Sequence, residues 1–291
     1  MRSKLFVPGT RPDLFSKALA GPADAISIDM EDSVIAAKKE EVRKTVNKFL
    51  LSPKAIANYK TIIVRCNSIT SPLFEKELRA VIQPRLDILN LPKIESASDV
   101  LFAVELIEKA ELANNVAVPI KLLINIETPK GLRNAAFISA AHQRVVGLQL
   151  GLNDLFDSCG IQRSDSASIH TIMLMVRMAA SEAGIKVYDG AFTDIEDKQG
   201  FHDETAMAVR LGFSGKSCIH PKQVETVNQM FMHAPEDLAF AQKIVCAAKD
   251  AENDGIGVFV LAGKMIDQPS IQRAKTILAE HERISSGQNL L

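Results

Sequence analysis

The sequence predicts an α/β fold of the (β/α)8 barrel class, the TIM barrel, with a C-terminal helical extension. Its 291 residues, 47% of them hydrophobic, are enough for one barrel of about 250 residues. Eight short β-rich runs alternate with helix-length segments, and several runs are continuously apolar, as in parallel strands covered on both faces. A doubly wound open sheet is the structural alternative.

Eight candidate strands follow one another along the first part of the chain. Each is followed by a turn and a helical pattern. The strands are KLFV (4–7), AISID (25–29), TIIVRCN (61–67), LDILNLPK (86–93), KLLINIET (121–128), RVVGLQLG (144–151), KVYDGAF (186–192) and GKSCIH (215–220).

Amphipathic segments of helix length fill the intervals. Residues 96–113 begin with Ser and Asp, which favour a helix start, and residues 168–184 end at Gly184, a stop signal. After residue 230 the pattern is helical over 235–254 and 270–284, with a break over 255–269. We therefore expect a barrel domain over 1–230 and a helical extension or lid over 231–291.

Net charge, cysteine spacing and the length of the apolar runs limit the functions that the sequence allows. Lys and Arg total 34 against 35 Asp and Glu, so no basic surface for nucleic acid or an anionic membrane is indicated. The four cysteines lack C-x-x-C spacing, which argues against a disulfide framework or a zinc site. No apolar run approaches the ~18 residues of a membrane span. We expect a cytoplasmic protein that binds small molecules or other proteins.

Polar and charged residues gather where the predicted strands end. In a barrel these ends form the active-site face. The residues are Asp29, Glu31, Asp32, Arg65, Asn67, Lys93, Glu127, Asn153, Asp154, Asp189 and His220.

Glu127 in NIETPKG and Asp154 in GLNDL are the main candidates for metal ligands. Each follows a strongly apolar run, where an unpaired carboxylate is costly unless a cation or hydrogen bonds compensate it. A few protein oxygens suit Mg²⁺, which keeps several waters or substrate oxygens. The alternative is that both residues cap the helices that follow.

Three other features leave two interpretations open. Arg65 could bind a carboxylate bidentately or form a structural salt bridge with a rim acid. Lys93 could bind an anion or pair with Glu95, and His220, before a proline, fits a helix start better than a general base. GFSGKS (212–217) suggests a phosphate cradle but lacks P-loop spacing, so a tight turn is the simpler interpretation.

These motifs together resemble the citrate lyase β-subunit-like proteins of the HpcH/HpaI aldolase superfamily, relatives of malyl-CoA and citramalyl-CoA lyases. Order and spacing match through nearly the whole chain, over RSKLFVPG, DMEDSV with the later KKEEVR, VRCN, LPKIES, INIETPKG, GLNDL, GFSGKSCIHPKQV and GKMIDQP. The resemblance implies a TIM barrel assembled as a homotrimer or hexamer.

The resemblance also implies roles for rim residues. It places the Mg²⁺ ligands at Glu127 and Asp154 and the arginine for the substrate carboxylate at Arg65. Glu31 and Asp32 would orient metal-bound waters and substrate. If the second strand continued through Glu31, Asp29 and Glu31 would share a face.

Contacts to a thioester carrier follow from the same resemblance. Phe6, Arg11 and Lys17 match positions that contact coenzyme A in thioester-using relatives. Asp267 matches a catalytic acid supplied by a lid of the neighbouring subunit. Two positions depart from the pattern: Cys66 replaces a usual valine, and Asp13, where some relatives have a cofactor-binding lysine, would repel a phosphate.

The implied reaction is reversible carbon–carbon cleavage of a 3-hydroxy-3-carboxylic acyl thioester of the citryl, malyl or citramalyl type. The products would be an acetyl-type thioester and a 2-oxo acid such as oxaloacetate, glyoxylate or pyruvate. Three alternatives stay open. They are a metal-dependent aldolase for a free 2-oxo-3-deoxy acid, a subunit that acts on an acyl carrier protein within a complex, and a non-catalytic ligand-binding barrel.

Overall fold

The computed structural model describes residues 1–253 and 255–285. Its first compact unit, Met1–Gln229, is a closed barrel of eight parallel strands in sequence order, and the first strand pairs with the eighth. The predicted fold class is confirmed, and the open sheet is wrong. The strands are β1 (Ser3–Pro8), β2 (Ala25–Asp29), β3 (Thr61–Arg65), β4 (Ile88–Leu91), β5 (Lys121–Ile126), β6 (Val145–Leu150), β7 (Lys186–Asp189) and β8 (Gly215–Cys218).

Each barrel strand is followed by at least one helix. The helices are α1 (Pro12–Ala20), α2 (Lys39–Leu50), α3 (Pro53–Ile56), α4 (Phe74–Val81), α5 (Ala97–Ala113), α6 (Pro129–Arg133), α7 (Ala135–Ser139), α8 (Leu152–Cys159), α9 (Ser166–Glu182), α10 (Lys198–Arg210) and α11 (Pro221–Met230). A short 3₁₀ turn, Ala36–Lys38, precedes α2.

The strands are buried on both faces, which explains their continuous apolar character. All five residues of β2 and all four of β4 are buried. Ile26 and Ile28 have no exposed surface, and burial of each such side chain contributes about 2 kcal/mol. Alternate residues of β2, including Ser27 and Asp29, occupy the other face, which lies inside the barrel.

Several strands end earlier than the sequence predicts. β4, β7 and β8 end at Leu91, Asp189 and Cys218, two or three residues before the predicted bounds. At Lys93 the backbone adopts φ 54°, a left-handed conformation that no strand contains. Lys93 and His220 therefore lie in loops that leave the sheet, whereas Asp189 is the last residue of β7.

Two helix boundaries follow their predicted signals. Ser96 accepts a hydrogen bond from the Asp99 backbone N–H at 3.2 Å, and Asp99 accepts one from the Ser96 N–H at 2.9 Å, which forms a capping box for α5. Helix α9 starts two residues earlier than predicted because Asp165 caps it through the Ser168 N–H. Gly184, at φ 68°, follows its end.

The second unit begins at Met230, and its described residues form two helices and a hairpin. These are α12 (Pro235–Asn253), β9 (Phe259–Leu261), β10 (Lys264–Ile266) and α13 (Gln268–Ser285). Ile244, Ile266 and Ile271 belong to its apolar core. Residue 254 and residues 286–291 of the predicted extension lie outside the described residues.

The hairpin corrects the break predicted over 255–269. Its strands have three residues each, too short for a period-two pattern to stand out. Ala262 and Gly263 form the two-residue turn with φ 49° and 76°, the positive angles of a type I′ turn. Within the described residues, no helix is both long enough and apolar enough to cross a bilayer.

Candidate active site at the carboxyl ends of the barrel strands

A pocket of about 420 Å³ lies at the carboxyl ends of the strands. Residues that the sequence or the resemblance singles out line it, among them Phe6, Asp32, Arg65, Glu127 and Asp154. These five come from five different strands or the loops after them, so the closure of the barrel brings them together.

Arg65, the last residue of β3, lies among three carboxylates. Its Nε and Nη2 donate to the two oxygens of Asp29 at 2.7 and 2.9 Å. Its Nη1 lies 2.9 Å from Glu31 Oε2 and 3.2 Å from Asp32 Oδ2. The guanidinium carbon is 5.1 Å from the centre of the Phe6 ring. Asp29 therefore fixes the Nε–Nη2 edge of the Arg65 guanidinium. Nη1 faces the carboxylates of Glu31 and Asp32, which a ligand carboxylate could replace.

Asp29 is the residue that orients Arg65. It accepts hydrogen bonds from the backbone N–H groups of Glu31 and Ser33, both at 3.0 Å. Burial raises the pKa of Asp29, but the hydrogen bond and charge of Arg65 outweigh it, and the pKa falls below its ordinary value. β2 ends at Asp29, as predicted for residues 25–29, so Glu31 lies beyond the strand and does not share a strand face with Asp29.

Glu31 lies in the turn after β2 and is held between two cations. Lys93 Nζ donates to Glu31 Oε1 at 2.9 Å, on the side opposite the Arg65 contact. Burial, with the charge of Asp32 beside it, raises the pKa of Glu31 to about 7 despite these cations. Burial lowers the pKa of Lys93, but Glu31 raises it by more. The sequence left two interpretations of Lys93, anion binding or a pair with Glu95; in the structure Lys93 pairs with Glu31.

Glu127 follows β5 and is almost fully buried, at 4% exposure. It accepts hydrogen bonds from the Lys93 backbone N–H at 2.7 Å and from Asn125 Nδ2 at 3.0 Å. Burial raises its pKa, and the negative charge of Asp154 raises it further. Gly151 makes room for it, because a Cβ there would lie 2.5 Å from Glu127 Cβ.

Glu127 and Asp154 fit a divalent cation. Asp154 lies in the first turn of α8, and its side chain is 42% exposed, so it faces the pocket with an accessible carboxylate. No group of three or more His, Cys, Asp or Glu converges as a metal site in residues 1–253 and 255–285. A cation here would be held by the carboxylate pair with water or ligand oxygens, the oxygen-rich and incomplete shell that suits Mg²⁺.

A half-buried clamp formed by Lys39, which the sequence analysis did not predict, holds the loop after β2. Lys39 Nζ donates to Met30 O at 2.8 Å, to Glu31 O at 2.6 Å and to Asn67 Oδ1 at 2.8 Å. Asn67 in turn donates its backbone N–H and its side-chain amide to the fully buried carboxylate of Glu77. The KKEEVR motif marks Lys39 in the sequence, but its target carbonyls are visible only in three dimensions.

The remaining residues of the implied carrier site lie on the surface next to β1. Arg11 precedes α1, and Lys17 lies in its last turn; both are exposed. Arg11 donates to both oxygens of Asp13, at 2.9 and 2.8 Å, which raises the pKa of Arg11 and lowers that of Asp13. Asp13 therefore offsets the charge of Arg11 as well as occupying the position of a lysine.

The two weaker motifs have structural roles. His220 Nδ1 accepts a hydrogen bond from the Lys222 N–H at the start of α11, as its helix-start interpretation predicts. In GFSGKS, Lys216 is fully buried and pairs with Asp189 and Glu204, so it does not offer its charge to a phosphate. Asp189 is thus part of this ion-pair cluster and not of the pocket lining.

Asp267 belongs to the second unit. It follows β10, and its carboxylate accepts hydrogen bonds from the Ser270 N–H at 3.1 Å and the Ser270 hydroxyl at 2.6 Å. These bonds, those from the side chain first, lower the pKa of Asp267. In this chain it therefore caps the start of α13.

Known proteins resemble this chain over nearly its whole length. The sequence model of the HpcH/HpaI aldolase/citrate lyase family matches residues 2–221. Citrate lyase subunit beta of Haemophilus influenzae is 36% identical, over 98% of this chain and 97% of that protein. L-malyl-CoA/beta-methylmalyl-CoA lyase of Cereibacter sphaeroides is 30% identical, over 98% and 96% of the two chains.

Solved structures agree with these sequence matches. CitE from Mycobacterium tuberculosis, in complex with magnesium, acetoacetate and coenzyme A, superposes with a TM-score of 0.75 at 29% identity, over 97% of this chain and 98% of that one. The barrel, the arginine and carboxylate pocket and the sequence matches lead to one conclusion: this chain belongs to the HpcH/HpaI aldolase/citrate lyase family of carbon–carbon lyases.

Proposed function

We propose that this protein catalyses Mg²⁺-dependent, reversible cleavage of a 3-hydroxy-3-carboxylic acyl thioester into an acetyl-type thioester and a 2-oxo acid. The observation that carries the proposal is the arrangement of one pocket. Arg65, fixed on one edge by Asp29, faces a pocket that also contains the carboxylates of Glu127 and Asp154. The relatives named a citrate lyase subunit and a malyl-CoA lyase support this class of substrate.

Arg65 binds the substrate carboxylate in this proposal. Its Nε and Nη2 stay on Asp29, and the incoming carboxylate replaces Glu31 and Asp32 at Nη1. Glu127 and Asp154 would hold Mg²⁺, which stabilises negative charge on the oxygen that becomes the ketone. The exchange costs little at Asp32, which is 55% exposed and can return to water.

Glu31 and Asp267 transfer protons in this proposal. The substrate hydroxyl gives its proton to Glu31 Oε2, whose pKa of about 7 suits a group that gains and loses a proton near neutrality. The carbon–carbon bond breaks, its electron pair forms the thioester enolate, and the hydroxyl carbon becomes the ketone of the 2-oxo acid. Asp267 then protonates the enolate carbon. The hydrogen bonds from Ser270 lower the pKa of Asp267 and so favour its ionised form. This step therefore requires Asp267 to be less exposed to solvent than it is in the single chain.

The thioester carrier would lie against the β1–α1 segment. Phe6 lines the pocket, and the exposed Arg11 and Lys17 are six residues apart, about 9 Å along a helix axis. Their positive charges suit the phosphates of coenzyme A or the phosphopantetheine of an acyl carrier protein. Since Asp13 neutralises part of this charge, we expect carrier affinity to rest mainly on Lys17 and on the thioester itself.

Assembly completes the proposed site. We assign residues 1–230 to catalysis and residues 231–291 to a lid that brings Asp267 to the pocket of a neighbouring subunit in a homotrimer or hexamer. Val260 and Met265 of the β9–β10 hairpin are 72% and 68% exposed, which suits a segment that packs against another chain. An acyl carrier protein and a cytoplasmic location are part of the same proposal.

A thioester panel tests the function. Malyl-, citramalyl- and citryl-CoA are each incubated with and without Mg²⁺, and the 2-oxo acid and the thioester product are both measured. We expect one substrate to yield both products only with Mg²⁺, and Glu127→Gln to lose at least 100-fold in turnover, in line with the loss of one charge-stabilising group. Glu105→Gln, which alters an exposed carboxylate on α5, is the control.

Other outcomes of the panel would select other functions. Cleavage of a free 2-oxo-3-deoxy acid without any thioester would make the protein an aldolase. Release of the hydroxy acid with a free thiol would show hydrolysis in place of carbon–carbon cleavage. Binding of Mg²⁺ and ligand without turnover, in the assembled protein, would leave a non-catalytic barrel.

A further inference from the structure

The layer of the barrel interior that forms the pocket floor is polar, and its Gln149 lines the pocket. In an eight-stranded barrel each interior layer holds four side chains from alternate strands. The register places Ser27, Asn90, Gln149 and Ser217, from β2, β4, β6 and β8, in one such layer. All four residues are buried, and each has a side-chain oxygen without a hydrogen-bond partner in the described part of the chain. Such a concentration of unsatisfied oxygens is uncommon in a protein interior.

Lys4 directs its ammonium group toward this layer. Lys4 and Phe6 share the inner face of β1, and Lys4 Nζ lies 4.5 Å from the centre of the Phe6 ring, which lines the pocket. Lys4 is 1% exposed, and its Nζ has no hydrogen-bond partner among the residues that the structure describes. Burial and the charge of Arg65 lower the pKa of Lys4, while the charges of Asp29 and Glu127 oppose this shift.

A buried ammonium without acceptors is strongly unfavourable and tends to lose its proton, so Lys4 stays charged only if the interior supplies acceptors. The nearby carboxylates are already engaged, Asp29 by Arg65 and Glu127 by the Lys93 N–H. The four oxygens of the polar layer and the three N–H bonds of Lys4 complement water, which typically makes about three hydrogen bonds to buried polar groups.

We propose that Lys4 and the four side chains of this polar layer form an internal water site, and that the hydrated Lys4 cation adds positive potential to the pocket from below. Arg65 contacts the substrate inside the pocket. Lys4 does not touch the substrate and affects it only through its positive charge. The effect of Lys4 on ligands rests on the proposed function, because that function supplies an anionic substrate. Lys4 is thus a positioning residue for anions.

Stability and ligand binding should respond to Lys4 in opposite directions. Replacing a buried charge by an apolar side chain of similar volume is often stabilising. A buried charge is screened little by salt, and its effect grows with the charge of the ligand. A merely structural role would instead weaken all ligands alike.

The experiment compares wild-type protein with Lys4→Met. Dissociation constants for pyruvate, a monoanion, and oxaloacetate, a dianion, are measured calorimetrically with Mg²⁺ present, together with the melting temperature. We expect the affinity for oxaloacetate to fall about tenfold, that for pyruvate only about threefold, and the melting temperature to rise. Lys4→Gln, which stays polar but loses the charge, should show the same ratio of losses.

Lys44→Met removes an equal charge from the exposed face of α2 and should leave both affinities unchanged. Unchanged affinities in Lys4→Met, equal losses for the two ligands, or a lower melting temperature in both Lys4 variants would each overturn the proposal. If wild-type protein binds neither ligand with Mg²⁺, the proposed function itself fails, and the effect of Lys4 on ligands fails with it.

Discussion

Replacing Lys39 by methionine should release the acidic loop while leaving the carboxylate pair intact. Lys39 Nζ holds Met30 O, Glu31 O and Asn67 Oδ1, all within 2.8 Å, and methionine fills a similar volume without any donor. Each of the three hydrogen bonds from this charged donor contributes about 1.5 kcal/mol, the lower end of the range for charged groups, and water replaces about a third of the sum at a half-buried site. We therefore expect a loss of about 3 kcal/mol of unfolding free energy.

In a unit of this size that loss lowers the melting temperature by about 6–12 °C. The loop holds Glu31 and Asp32 beside Arg65, so kcat/KM should fall by at least about tenfold, which corresponds to about 1.4 kcal/mol. Mg²⁺ affinity should stay within about twofold, because the carboxylates of Glu127 and Asp154 come from later strands.

Calorimetry, thermal melts and steady-state kinetics with the substrate found in the thioester panel measure these three quantities. Lys44→Met is the matched control, since Lys44 lies on the same helix but is 74% exposed and pairs with Glu40 on the surface. Wild-type kcat/KM in Lys39→Met would refute the clamp, as would an equal loss in Lys44→Met.

Four further outcomes are expected. Asp29→Asn should lower affinity for the 2-oxo acid about tenfold by freeing Arg65. Because the pKa of Asp29 is lowered, the stability that Asp29 contributes is present above pH ~4 and is lost as pH falls. The acid unfolding of the variant should therefore depend less on pH than that of wild type. Gly151→Ala should weaken Mg²⁺ binding, measured by calorimetry, since its Cβ would lie 2.6 Å from Glu127 Oε2; unchanged affinity would contradict this placement. Mg²⁺ affinity should fall as pH is lowered, and at a higher pH than for an ordinary carboxylate, because the raised pKa of Glu127 lets protons compete with the metal; a profile that Glu127→Gln leaves unchanged would contradict this ligand. Ser96→Ala should cost about 1 kcal/mol by removing the cap of α5, seen as a melting temperature about 2–4 °C lower, with kcat/KM unaffected.

The ion-pair partners of Arg65 and Lys93 could not be predicted from the sequence. The sequence marks Arg65 as a charged residue at the end of an apolar run, but the choice of Asp29 as its partner depends on the register between β2 and β3. Lys93 was equally visible, yet its positive φ turns its side chain to Glu31 and its N–H to Glu127. Neither pairing produces a periodic pattern in the sequence.

The amino-acid sequence by itself determined the barrel and the rim. Continuous apolar runs are typical of parallel strands covered on both faces, and closing eight of them puts every strand end on one face, where Arg65, Glu127 and Asp154 meet. The tertiary structure alone decided which charges pair, that Lys39 clamps the acidic loop and that Lys4 lies beneath the pocket. The physical reason is that these contacts join residues distant in sequence, through strand register and loop geometry that local patterns do not encode.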